Sequence, residues 1–151
     1  MTNQNENKQY EHITQARVPL YDVDLGQALY HGNYYHLFEI ARDRFFRDMG
    51  FPYKGLMDME RHLSVVEAGC KYKKSLRYDD EADIHTSLLW MRTRSLGISQ
   101  KIFRTEADGH SVLCTELSLN MVCTRFSGGA ATLPPDFVKC LQDRTGIAPR
   151  A

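Results

Sequence analysis

A chain of 151 residues has room for one domain, and at that size folding removes about 70% of the unfolded surface from water, enough for an independent core. Its 19 lysines and arginines balance 19 aspartates and glutamates, which excludes a surface built wholly for nucleic acid or anionic membrane. A hydrophobic content of 42% with 25% charged residues excludes wholesale disorder. The longest apolar runs, Ser87 to Met91 and Leu117 to Cys123, fall far short of the roughly 18 residues of a membrane span.

The first ten residues are polar, lack the apolar centre of a secretory signal, and read as a tail. Residues 145–151 read as a second tail, so that one domain occupies 11–144. Ala16, Val18 and Leu20 alternate with Gln15, Arg17 and Pro19, which predicts a strand near 13–20, held to a sheet edge by Pro19. From Gly32 to Met49 the period changes. Tyr34, Leu37, Phe38, Ala41, Phe45 and Met49 make one apolar stripe of a long helix, with Glu39, Arg42, Asp43, Arg44, Arg47 and Asp48 on the other face. Asp43–Arg47 and Arg44–Asp48 are opposite-charge pairs four apart, Gly32 or Asn33 offers a cap, and Gly50 with Pro52 a stop. Four strand patterns follow: Val66 to Tyr72, Ala82 to Trp90, Leu96 to Ile102, and Leu113 to Cys123, the last two joined by an Asp108-Gly109 turn. A short helix is expected after Pro134-Pro135, over Asp136 to Gln142. Short links between strands force antiparallel neighbours, so the fold class is α+β, a curved, mostly antiparallel five-stranded sheet wrapped around one long central helix.

The segment between the first strand and the long helix, Tyr21 to Tyr34, carries the most chemical information. Two carboxylates one residue apart, Asp22 and Asp24, lead to a helix start whose N–H groups have no partner within the helix and carry a partial positive charge. Both acids fit solvated turn or capping positions. They also fit hydrolysis of an ester-like carbonyl, with the N–H groups stabilising the oxyanion while a carboxylate attacks or activates water. Other chemistries lack their residues. No Gly-x-Ser-x-Gly elbow and no glycine-rich phosphate loop occur. His31 and His36 lack the His-Glu-x-x-His order of a zinc site, the other histidines are isolated, and the cysteines at 70, 114, 123 and 140 share no close spacing. Free thiols without an export signal point to the cytoplasm.

Asp24, Gly26, Tyr30-His31, Asn33-Tyr34, Glu39, Ala41-Arg42 and Gly50 together resemble the signature of hotdog-fold acyl-CoA thioesterases of the 4-hydroxybenzoyl-CoA thioesterase/YbgC type, and the stretch from Val65 to Asp83, with Tyr72-Lys-Lys and Tyr78-Asp-Asp, resembles that family's second and third strands. The likeness spans about residues 13–143. It implies the hotdog fold and hydrolysis of an acyl- or aryl-CoA thioester to the free acid and coenzyme A, with no metal and no redox cofactor. By the same likeness Asp24 is the catalytic carboxylate, the His31 backbone N–H is the oxyanion donor, and the His31 side chain faces the thioester. Gly26, Gln27, Tyr30, Asn33, Tyr34 and Glu39 fall at substrate-binding places, Glu39 at either the acyl end or the protein surface. Many relatives have Gly where this chain has Gln27. Asp22 is expected to be structural, satisfying backbone N–H groups of the loop. Arg92, Arg94 and Ser95, with Lys73, fall where the phosphates of coenzyme A are held; read alone, both basic clusters are solvated strand edges. The implied partners are a small-molecule acyl-CoA or an acyl carrier protein, and a second copy of the chain in a homodimer or homotetramer. The rival readings are a hotdog hydratase or dehydratase, disfavoured by the missing Asp-x-Asn-Pro-x-His cluster, and a non-catalytic module that binds acyl thioesters.

Overall fold

The structure, a computed structural model, describes residues 9–151. It consists of β1 (His12–Arg17), α1 (Tyr34–Asp48), α2 (Tyr53–Asp58), β2 (Arg61–Tyr72), β3 (Glu81–Met91), β4 (Ser95–Thr105), β5 (Ser111–Arg125) and α3 (Pro135–Thr145). The strands form one five-stranded sheet in the order β1-β3-β4-β5-β2, and every ladder is antiparallel. The central strands alternate as predicted, except that a register shift after Leu88 takes Trp90 off the predicted face and buries Met91 instead. Ile84, Thr86 and Leu88, then Ile98, Gln100 and Ile102, then Thr115, Leu117 and Leu119 are buried on one face. Against that face α1 lays Tyr34, Leu37, Phe38, Ala41 and Phe45, all buried.

One polar chain crosses this apolar layer. Gln100, wholly buried, donates to the Phe38 carbonyl at 2.9 Å and to the Thr86 hydroxyl at 3.0 Å, and accepts from the Arg42 guanidinium at 2.9 Å. The amide thus ties helix to sheet with its donors and its acceptor all engaged, and burial pushes the Arg42 guanidinium pKa down. Gln100→Met keeps the volume but strands the guanidinium, and urea unfolding should record a loss of about 2 kcal/mol.

The structure departs from the predicted elements for identifiable reasons. β1 stops at Arg17 because the pairing becomes irregular at Val18, whose N–H donates to Asp80 while its carbonyl accepts from Asp79, and a 3₁₀ turn over Leu20–Asp22 then takes the chain away from the sheet. A 3₁₀ turn, His31–Asn33, precedes α1, and neither carries a side-chain cap. Asn33 spends its amide on the Asp22 carbonyl at 3.0 Å instead. Gly50, at φ 97°, ends the helix in the left-handed region where a side chain is penalised. Asp43–Arg47 forms at 3.6 Å, but Asp48 pairs with His12 at 2.7 Å rather than with Arg44. The helix α2 was missed because six residues are too few to show a period.

β2 begins at Arg61, five residues before the predicted start, because a register shift between Val65 and Glu67 puts its two halves out of phase. Leu63 and Val65, opposite Cys123 and Met121, share the helix-facing side with Ala68, Cys70 and Tyr72, opposite Leu119, Leu117 and Thr115, while Val66 is the extra residue. The expected N-terminal tail lies almost wholly outside the described residues. Gln9 donates to the Leu88 carbonyl at 2.9 Å and Tyr10 packs on the core. The expected C-terminal tail is docked: Pro149 bridges Met91 and the Arg150 N–H donates to the Met91 carbonyl at 3.0 Å.

Candidate active site

The loop from β1 to α1 is a small hairpin closed on itself and on the segment that follows β2. Val23 pairs with Leu29, the Asp24 N–H donates to the Ala28 carbonyl at 3.0 Å, and the Gln27 N–H returns to the Asp24 carbonyl at 3.0 Å. Leu29 donates to Leu76 at 2.8 Å, anchoring the hairpin beyond the end of β2. The Asp22 carbonyl accepts from both the Tyr30 N–H (3.1 Å) and the Asn33 amide (3.0 Å), so the loop that carries Asp24 is tied to the first turn of the helix.

Asp24 is exposed, and its Oδ1 accepts the Gly26 N–H at 2.8 Å. This contact fixes the carboxylate and explains the glycine, since a Cβ at position 26 would lie 3.0 Å from that oxygen. Among the described residues the other carboxylate oxygen has no partner and stays open to a substrate or water. Gln27 sits at φ 64°, the left-handed position that follows such a turn and that glycine adopts without penalty. Gln27→Gly should therefore raise or preserve the thermal midpoint, whereas Gln27→Val should cost about 1–2 kcal/mol of unfolding free energy.

At the helix start the first internal bond runs from the Asn33 N–H to the Tyr30 carbonyl at 2.8 Å. The N–H groups of His31 and Gly32 precede it, and among the described residues neither finds an acceptor. Tyr30 lays its ring against Gly32, where a Cβ would meet it at 2.9 Å, and 4.3 Å from the His31 ring. Tyr72 of β2 donates its hydroxyl to the His31 carbonyl at 2.8 Å. A cavity of about 180 Å³ opens beside this turn, lined by Leu29, His31, Tyr34, Tyr72, Lys73, Lys74 and Ser75.

The other sequence-derived site residues divide between this end and the rest of the molecule. Tyr34 is buried and its hydroxyl accepts the Leu76 N–H at 3.0 Å, which fastens the start of α1 to the segment after β2. The Asp22 carboxylate does not cap loop N–H groups as expected; it is buried and faces the His36 ring at 3.4 Å. Glu39 lies farther along α1 in a second cavity, of about 330 Å³, with Arg42, Asp43, Phe46, Tyr53, Leu63, Val65 and Met121. Each of the two cavities is lined in part by α1 and in part by β2. Lys73 lines the first and is paired with Glu116 at 3.1 Å, and the lysine holds the Glu116 carboxyl below its usual range.

Arg92, Arg94 and Ser95 are not brought to this end. They turn β3 into β4, and β3 alone, Glu81–Met91, puts about 30 Å between that turn and the strand end beside the loop. Arg92 stacks over Trp90 at 5.5 Å. Sequence reasoning missed the Tyr72 contact and the Arg42–Gln100 link. The inward phase of Tyr72 is the signal for the first, and the bulge at Val66 hides where that phase begins.

The family model of the thioesterase-like superfamily matches residues 18–141. The chain belongs to that superfamily. A putative esterase of Aquifex aeolicus is 29% identical over 131 residues, covering 87% of this chain and 98% of the relative. The acyl-CoA thioester hydrolase YbgC of Escherichia coli O6:H1 is 31% identical over 108 residues, 72% of this chain and 78% of its own length. Among solved structures, a DHNA-CoA thioesterase of Staphylococcus aureus superposes with a TM-score of 0.80 at 23% identity, over 88% of this chain and 89% of that one. The likeness establishes the expected hotdog fold, an antiparallel sheet wrapped around a central helix. No helix among the described residues is long and apolar enough to cross a membrane.

Proposed function

We propose that this thioester hydrolase cleaves acyl-CoA or aryl-CoA to the free acid and coenzyme A with Asp24 as its carboxylate and the start of α1 as its oxyanion site. The observation that carries this reading is the pairing, within one cross-tied loop, of a carboxylate with an open oxygen and a helix start with unclaimed N–H groups. A thioester oxygen resting on the His31 and Gly32 N–H groups gains their dipoles as negative charge builds on it. Asp24 then adds to the carbonyl carbon, coenzyme A departs as the thiolate, and water cleaves the mixed anhydride; or Asp24 takes a proton from water that adds directly. The acyl group runs along the groove between α1 and β2 toward Glu39. Gly26 and Gln27 shape the turn under the carboxylate, and Tyr30 and Asn33 the helix start.

The reading extends to a homodimer. Among the described residues β2 is a bare sheet edge on which Val65, Val66, Ala68 and Gly69 are all exposed, and Leu25 beside Asp24 and Tyr35 on α1 are exposed as well. Antiparallel pairing of two such edges sets the far end of one sheet beside the site end of the other, which lets Arg92, Arg94 and Ser95 of a second copy reach coenzyme A phosphates. Sedimentation as a compact monomer at micromolar concentration would contradict this arrangement. The free cysteines at 70, 114, 123 and 140 fit a reducing cytoplasm.

The test is a thiol-release screen over short-chain, long-chain and aryl CoA esters and the matching carrier-protein thioesters. Release of thiol with free acid supports the reading. Hydration of crotonyl-CoA without thiol release selects the hydratase alternative, and binding of a non-hydrolysable acyl-CoA without release of thiol from any ester selects the binding module.

A further inference from the structure

The start of α1 poses a physical problem that its own sequence does not solve. An oxyanion site needs donors held still before the reaction begins, because a donor that must first be ordered loses much of its value. Yet the His31–Asn33 turn and α1 both begin without a side-chain cap, and the second residue of the turn is Gly32, the least restrained residue type. A conventional cap is not available here, since its oxygen would occupy the very N–H groups the oxyanion requires.

The turn is instead held from outside, on its carbonyl and side-chain groups. Asn33 reaches the Asp22 carbonyl, Tyr34 receives the Leu76 N–H, and Tyr72 donates to the His31 carbonyl at 2.8 Å. Of these three contacts, only that of Tyr72 bears on His31, the residue that presents the leading N–H. The phenol is itself well placed to act as a strut. β2 carries its backbone, and its ring stands edge-on to Tyr34 at 5.1 Å and 79° and to His31 at 6.3 Å and 83°. Desolvation, with Cys70 adding to it, pushes the Tyr72 pKa up, so the hydroxyl stays a donor throughout the neutral range.

We propose that Tyr72 is a positioning residue for thioester hydrolysis: through its hydrogen bond to the His31 carbonyl it clamps the uncapped helix start, so that the N–H groups stay both free and correctly aimed. The role rests on the oxyanion reading of the helix start given above. Tyr72 acts through His31 and leaves the reacting carbonyl to the backbone. It also joins β2 to the site, which makes the strand that forms the open sheet edge a direct support of the catalytic turn.

Tyr72→Phe removes one oxygen from a side chain that is 45% exposed, so the fold survives the change. The expected result is a fall in kcat of about tenfold, with KM within about twofold and the thermal midpoint within a few degrees of the parent. A readout that a purely structural role would leave alone is the infrared carbonyl stretch of a 13C-labelled acyl-CoA bound to the Asp24→Asn protein. The stretch should move to lower frequency on binding, and adding Tyr72→Phe should shrink that displacement. Unchanged kcat, an undiminished displacement, or a kcat loss accompanied by an equal loss of substrate binding and thermal stability overturns the proposal. Should Asp24→Asn alone retain full activity, the proposed function on which this role rests falls. An inactive Asp24→Asn beside a fully active Tyr72→Phe removes Tyr72 only.

Discussion

Asp24→Asn is expected to lower kcat for acyl-CoA hydrolysis by at least about a hundredfold, with KM changed by no more than a few-fold. The substitution is chosen because the turn should not notice it. The amide oxygen of asparagine still accepts the Gly26 N–H that Asp24 receives at 2.8 Å, and the side chain is exposed, so neither packing nor the hairpin is disturbed. What disappears is the negative charge and the basic oxygen that faces outward. A neutral amide neither adds to a thioester carbon nor takes a proton from water at neutral pH, and removal of such a group typically costs 10²–10⁴-fold. A steady-state thiol-release assay on the purified variant, with its circular dichroism and melting curve compared to the parent, gives the answer. If more than about a tenth of the activity survives, Asp24 is neither nucleophile nor base.

The largest loss of stability is expected at Phe45. The side chain is wholly buried on α1, 5.3 Å from the Phe46 ring and edge-on to His12 of β1 at 5.9 Å. It therefore wedges the central helix against an edge strand, where the surroundings have few ways to collapse into a void. Phe45→Ala should cost about 3–5 kcal/mol in urea unfolding, combining lost burial with a residual cavity. Set against the 5–15 kcal/mol typical of a whole domain, that is a large fraction. A loss below about 1 kcal/mol is the outcome incompatible with a helix seated on the sheet in this way.

Much of the architecture could be read from the amino acids because it rests on periodicity. The stripe from Tyr34 to Met49 and the alternation along β3, β4 and β5 are statements about which face is buried, and the structure buries those faces. The lapses occur where period fails as a signal. The six residues of α2 are too short to show one, and the extra residue at Val66 shifts the phase of β2 in mid-strand. The docking of Pro149 and Arg150 on Met91 depends on a contact nearly sixty positions away in the chain, which local composition does not encode. At the site, the hairpin residues could be anticipated because Asp24, Gly26 and Gln27 act on near neighbours. Tyr72 and Gln100 could not, since each works across tens of residues, on His31 and Arg42 respectively.

The strand order also governs how the chain must assemble during synthesis. Among the described residues β2 hydrogen-bonds to β5 and to no other strand, and Tyr72 leaves the ribosome 39 residues before Ser111, the first residue of its mate. At roughly 5–20 residues per second the whole ladder has to wait several seconds before it can close. Throughout that interval an extended segment bearing Val65 and Val66 has both of its backbone rims unsatisfied, which makes nascent neighbours on one polysome its natural competitors. Slower translation of residues 73–125 should accordingly raise the yield of aggregate relative to native protein without altering the finished product's thermodynamics.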